Sequence, residues 1–244
     1  MENRLVLKIG GSIFDHPQIL DDFIHSFCAN LNPEWKYIIL MGGGNKCNQL
    51  RQQYKSTVNC EEKDSKFHWK SIEIMGENAK ILHSKLIPQS KISPVHLIKD
   101  ISSSIINKPG IYVIQPFKDL YKSDPFEHSW RVTSDSIALY YANRLHSQIC
   151  VLVKNKPYFI IDKMEVHSIS SSKLLEHPSI FSQNENLGKG LVDPFGPHLC
   201  REYKIPILIL DGTDKSKVSN FLSKYPNNTD STNLSSFGIE VTPQ

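Results

Sequence analysis

The sequence predicts an α/β chain, a three-layer α/β/α sandwich around a mainly parallel central sheet. Three observations predict it. Apolar, β-branched runs recur along most of the chain, continuous rather than alternating, as in a sheet covered on both faces. Segments with apolar residues at helical spacing lie between them. The first two runs both empty into glycines, as strand ends do where a backbone approaches a ligand closely.

The elements follow in order. The first strand, at 5–9, is apolar except for Lys8 and runs into Gly10, Gly11 and Ser12. Residues 17–30 set Ile19, Leu20, Phe23, Ile24 and Phe27 on one helical stripe. The second strand, at 37–41, runs into Gly42, Gly43 and Gly44. Residues 50–64 are polar and read as a helix end and a surface loop. A long helix follows at 67–86, with Trp69, Ile72, Met75, Ala79 and Leu82 near one face. Further strands are expected at 110–115, 149–153 and 207–210, and a helix at 135–145. Thr133 or Ser134 is placed to cap that helix, with Asp135 in its first turn. An Asn at 135 can still cap, so Asp135→Asn is expected to cost under about 1 kcal/mol. Residues 168–190 read as a loop with one short helix, and 226–236 as an exposed polar segment. Strand–helix–strand units imply right-handed crossovers. With no linker in sight, a single domain over 1–244 is expected.

Composition narrows the classes. The 244 residues include 28 basic and 25 acidic ones, a formal charge of +3, so no nucleic-acid partner is expected. No apolar stretch approaches the roughly 20 residues that cross a bilayer, so no membrane partner is expected either. The first strand begins where a signal peptide would carry its charges. Five cysteines (Cys28, Cys47, Cys60, Cys150 and Cys200) are odd in number and lack CxxC spacing. They fit a cytoplasmic location and argue against disulfides or zinc. The ten histidines are scattered, and His68 and His83 have no carboxylate at metal-ligand spacing, so no protein metal site is expected.

Two strands that empty into glycine loops suggest N–H groups gathered around phosphate oxygens, with Lys8 at the edge of the first loop. Together with Thr133-Ser134-Asp135 opening a helix, these motifs resemble the amino acid kinase family over about residues 4–222. The resemblance implies one sandwich with two lobes, an acceptor side over about 1–145 and a nucleotide side over about 146–244. It implies an ATP-dependent kinase working with Mg²⁺ on a small phosphorylated or oxyanionic acceptor, and a homo-oligomer.

Three segments are similar to an archaeal subgroup of that family whose acceptor is an aminomethylfuran-methyl phosphate of methanofuran synthesis. They are Ser129-Trp130-Arg131-Val132-Thr133-Ser134-Asp135-Ser136-Ile137-Ala138, the Phe67-His68-Trp69 helix and Val192-Asp193-Pro194-Phe195. Residue by residue, the resemblance implies that Lys8 pairs the β- and γ-phosphates and Asp135 orients the lysines. Gly10, Gly11, Ser12 and Lys154 would hold phosphates or nucleotide. Gly42, Gly43, Gly44, His68, Trp130 and Thr133 would hold the acceptor. The second catalytic lysine stays open among Lys154, Lys156 and Lys189. Arg131 stands where this subgroup has an acid, and Lys154-Asn155-Lys156-Pro157 replaces the family's usual nucleotide loop. Alternatives are a kinase for another phosphomonoester (isoprenoid-phosphate-like) or for a carboxylate. A storage protein for molybdate or tungstate, which shares the fold, is a third.

Overall fold

The computed structural model describes residues 3–101, 106–161, 164–176, 191–227 and 233–244. In chain order the elements are β1 (Arg4–Ile9), α1 (Gly11–Phe14), α2 (Pro17–Ala29), β2 (Lys36–Met41), α3 (Gly44–Ser56), α4 (Lys63–Leu86), β3 (Val95–Ile98) and β4 (Gly110–Ile114). Then come α5 (Phe117–Ser123), α6 (Ser134–Arg144), β5 (Cys150–Lys154), β6 (Ile160–Ile161), β7 (Met164–Glu165), β8 (Ser168–Ser170) and α7 (Ser171–Glu176). The chain closes with α8 (Gly196–Tyr203), β9 (Ile207–Asp211), α9 (Lys215–Lys224) and β10 (Ile239–Thr242).

Eight strands form one sheet in the order β3-β4-β2-β1-β5-β9-β10-β8, parallel throughout except that β10 runs antiparallel to β9. The five expected strands are β1, β2, β4, β5 and β9. Three sheet strands were not expected. β3, β8 and β10 are short, with half-buried or exposed positions, so their apolar runs are weak. β8 and α7 occupy the start of the expected loop at 168–190, of which 177–190 lie outside the described residues. The small β6–β7 pair is separate from this sheet. The stretch read as a polar helix end and loop holds most of α3, whose buried face is only Cys47 and Leu50.

Alternation along β1 decides where the chemistry lies. Leu5, Leu7 and Ile9 point into a core shared with α2 and α9; Val6 points into the opposite core, shared with α6 and α8. A strand side chain two residues on shares a face, so Lys8 lies on the α6 side. With Arg4 at the other end, it is one of two charged members of a fully buried strand. The long α4 serves both cores. Ile72 and Met75 join the core on the α6 and α8 side, and Ala79, Leu82 and Leu86 the core on the α2 and α9 side. Where it passes from one to the other, Asn78 Nδ2 donates to Gly42 O at 2.8 Å, at the C-terminal end of β2.

Candidate active site

Lys8 and Lys154 end neighbouring parallel strands. The register sets Lys8 opposite Leu152, so Lys154, two residues further, leaves β5 on the same face. Asp135 opens α6 beneath them. Its Oδ1 lies 2.9 Å from Lys8 Nζ and its Oδ2 2.7 Å from Lys154 Nζ. Lys8 is 5 % exposed and Asp135 3 %. Burial draws the Lys8 ammonium down to about 8, against the attraction of Asp135. Burial works to raise the Asp135 carboxyl, but Lys154 and Lys8 outweigh it and hold the group well below the usual carboxylate range.

The helix start is built by neighbours. Thr133 is the N-cap and its Oγ1 accepts the Asp135 N–H at 3.4 Å, while Ser134 is the first helical residue. Asp135 therefore does not cap. Its carboxylate is held by the two lysines.

The two glycine loops pack directly on one another. A Cβ on Gly11 would overlap the Gly44 backbone, and one on Gly42 would come within 2.7 Å of Gly11 N. Gly44 has φ +62°, and Asp15 Oδ2 accepts the N–H of the next residue, Asn45, at 2.8 Å. A Cβ on Gly43 would meet Cys47 Sγ. These positions are glycine first because loop meets loop and loop meets helix. Two of the expected phosphate donors are already engaged: Gly10 N–H donates to Val153 O and Gly42 N–H to Ile9 O, each at 2.8 Å.

A cavity of ≈ 360 Å³ opens between these loops, α3, α4 and the start of α6. Of the residues proposed from sequence, Lys8, Gly11, Ser12, Gly42, Gly43, Gly44, His68, Trp130, Thr133, Asp135 and Lys154 line it. Gly10 does not; it packs behind, against β5. His68 stacks on His128 with ring centroids 4.6 Å apart, and burial lowers it to about 4, so a neutral imidazole faces the cavity. Among the lysines left open, Lys154 reaches Asp135, Lys156 is exposed with φ +46°, and Lys189 lies outside the described residues.

The family recorded as the amino acid kinase family matches the chain over residues 3–211. The chain belongs to the amino acid kinase family. It is similar to the [5-(aminomethyl)furan-3-yl]methyl phosphate kinase of Methanocaldococcus jannaschii, 26 % identical over 217 residues that cover 89 % of this chain and 92 % of that protein. Its fold is similar to the UMP kinase of Bacillus anthracis (TM-score 0.66, 13 % identity, 99 % of this chain and 96 % of that one). It is also similar to the aspartate kinase of Synechocystis (TM-score 0.64, 12 % identity, 99 % and 40 %). The chain is a kinase of this family with the three-layer, mainly parallel fold expected.

Two carboxylates in this kinase site escaped sequence reading. Asp15, noted above, ties the first loop to α3. Asp193, 1 % exposed, holds the start of α6 from the segment before α8. Its Oδ2 accepts from Thr133 N (2.9 Å), Thr133 Oγ1 (2.8 Å) and Ser136 N (2.9 Å). Its Oδ1 accepts from Ser136 Oγ (2.5 Å) and Gly196 N (2.7 Å). Burial, and then the nearby Asp135 charge, push the Asp193 carboxyl up, against those hydrogen bonds. In the sequence Asp193 entered only as part of the Val192-Asp193-Pro194-Phe195 resemblance, with no role of its own; the further signal was an acid inside an apolar segment. Asp193→Ala leaves five donors without their acceptor and lowers stability by about 3 kcal/mol or more, read by urea unfolding. A loss under about 1 kcal/mol would show that water replaces the carboxylate.

Proposed function

We propose that the chain transfers the γ-phosphoryl of ATP to the phosphate of a small phosphorylated acceptor, aminomethylfuran-methyl phosphate, giving the diphosphate and ADP. The observation that carries the reading is the Lys8–Asp135–Lys154 cluster at the mouth of two touching glycine loops. The acceptor comes from the methanofuran-type relative, whose match spans 92 % of that protein.

Phosphoryl transfer needs charge held still and neutralised as it spreads over the moving oxygens. An oxygen of the acceptor phosphate attacks the γ-phosphorus while the bond to the β,γ-bridging oxygen breaks, and the electron pair leaves with ADP. Lys8 and Lys154 present two ammonium groups to those oxygens. Asp135 fixes them in place before substrate arrives, so little reorganisation is needed during the reaction. Gly11 and Ser12 open α1, where the first N–H groups of a helix have no carbonyl partner within it and can face phosphate. His68 and Trp130 form the wall beside a flat acceptor. Among the described residues no three His, Cys, Asp or Glu side chains gather as a metal site. Mg²⁺ fits here as a companion of the nucleotide phosphates, the way it is commonly held.

Asp211 joins the loop after β9 to the loop after β5, accepting from Thr213 N at 2.9 Å and Lys156 N at 3.2 Å. This supports placing the nucleotide beyond the ends of β5 and β9. No described helix is long and apolar enough to cross a membrane. A cytoplasmic homo-oligomer remains part of the proposal; Ile81, Ile87 and Ile92 are exposed along the end of α4 and supply a surface for a second copy.

The test is ADP release measured with a panel of acceptors. Aminomethylfuran-methyl phosphate is expected to stimulate it, and the corresponding alcohol is not. Equal stimulation by isopentenyl phosphate or a carboxylate would replace the acceptor. ATP binding with no stimulated release by any acceptor would favour a storage protein.

A further inference from the structure

Of the three cations that line the cavity, Lys8 and Lys154 share the Asp135 carboxylate. Arg51 does not share it. Among the described residues its hydrogen bond is to a neutral partner, Nη1 to Asn48 Oδ1 at 3.3 Å. Its Nε is shut away from solvent without a partner. The guanidinium lies over the Trp130 ring, 4.9 Å from the centroid. Elsewhere Arg144, also drawn toward the interior, is paired to Asp119, and Arg4 donates to Leu145 O. Burial disfavours the charged form of Arg51; Cys47, Asp135 and Asp193 offset this in part, and among the described residues no carboxylate pairs with it directly.

Position explains where that charge is aimed. Gly44, Cys47, Asn48 and Arg51 all line the cavity, and their spacing places them on one face of α3. Helical side chains lean toward the N-terminus, so Arg51 reaches back along this face toward the second glycine loop. It does so on the wall that carries Trp130. The Trp130 ring positions the guanidinium, and its Nη2 and the second Nη1 proton are left for the oxygens of an anion.

We propose that Arg51, oriented by Trp130, is the receptor for the phosphate that the acceptor itself carries, and so makes the site selective for phosphomonoesters. This rests on the acceptor side assigned above, but not on any turnover. A neutral acceptor leaves the half-buried guanidinium without an anionic partner, whereas a phosphomonoester supplies one. Lys46, on another face of α3, is paired to Glu77 and takes no part.

Phenyl phosphate is the probe, with phenol as its uncharged control and ADP as the nucleotide reference, each titrated calorimetrically into the full chain. The wild type is expected to bind phenyl phosphate and not phenol. Arg51→Met, which keeps length and apolar contact with Trp130, is expected to weaken phenyl phosphate about 10- to 100-fold and to leave ADP within about threefold. Arg51→Lys, with charge but no fork, is expected to fall between. Thermal unfolding separates this from a structural role, because removing a half-buried cation that has no direct carboxylate partner leaves the melting temperature unchanged or raised. Unchanged phenyl phosphate binding by Arg51→Met overturns the proposal, as does an equal loss for ADP or no binding by the wild type. If the arginine dependence holds while no acceptor is ever phosphorylated, the anion site stands and the kinase acceptor reading falls alone.

Discussion

Replacing Lys8 with Ala is expected to lower turnover by about 10²–10³, the cost of losing the cation proposed to pair with phosphate in a site largely closed to water. The fold persists, because Asp135 keeps Lys154 as its partner at 2.7 Å. The pH profile carries the signature of the residue. With its ammonium drawn down to about 8, Lys8 loses its proton as the solution becomes mildly alkaline, and kcat/KM falls above that pH. Bound phosphates favour the charged form, so the same limb in kcat lies at higher pH. Lys8→Arg carries a charge that does not titrate in this range, and the limb disappears. Stability moves the opposite way. Folded Lys8 gives up its proton before unfolded Lys8, so its charged form costs stability below pH about 8. That cost is relieved as pH rises from about 8 toward 10.5. Near-normal turnover by Lys8→Ala at saturating ATP would remove Lys8 from the reaction.

Asp135→Asn costs both activity and stability. Turnover drops at least about tenfold, because the two lysines are no longer held in one geometry. Unfolding free energy is expected to fall by about 2–4 kcal/mol, since the buried Lys8 and the half-buried Lys154 lose the carboxylate they share. This exceeds the cost under about 1 kcal/mol expected from sequence. That expectation treated position 135 as part of a helix cap, whereas the cap is Thr133. The sign is checkable by pH. A carboxyl held below its ordinary value stabilises fully above the unfolded pKa of about 3.8, and the benefit is lost as pH falls toward the lower folded value. The wild type therefore loses stability in acid where the Asn variant stays flat. An unchanged melting temperature with lost activity would show that water in the cavity compensates the lysines. Unchanged activity would leave Asp135 a structural residue.

By itself the sequence determined the layered α/β fold, the five central strands and the three loops that meet in the cavity. Those features are local. A continuous apolar run ending in glycine needs no knowledge of its neighbours, and neither does a Thr-Ser-Asp start to an amphipathic helix. The tertiary structure decided what depends on distant partners. Lys154 meets Asp135 because β5 lies beside β1 in matching register, which neither segment encodes alone. The glycines of the two loops face each other across a backbone contact, and two of their N–H groups go to sheet carbonyls rather than outward. Asp193 gains its role only when the segment before α8 packs on α6. Arg51 is one more polar residue in a polar stretch until folding stacks it on Trp130 and withholds a carboxylate from it. The short edge strands β3, β8 and β10 were missed for the same reason: their pairing comes from the sheet, and their own residues are too few and too mixed to announce it.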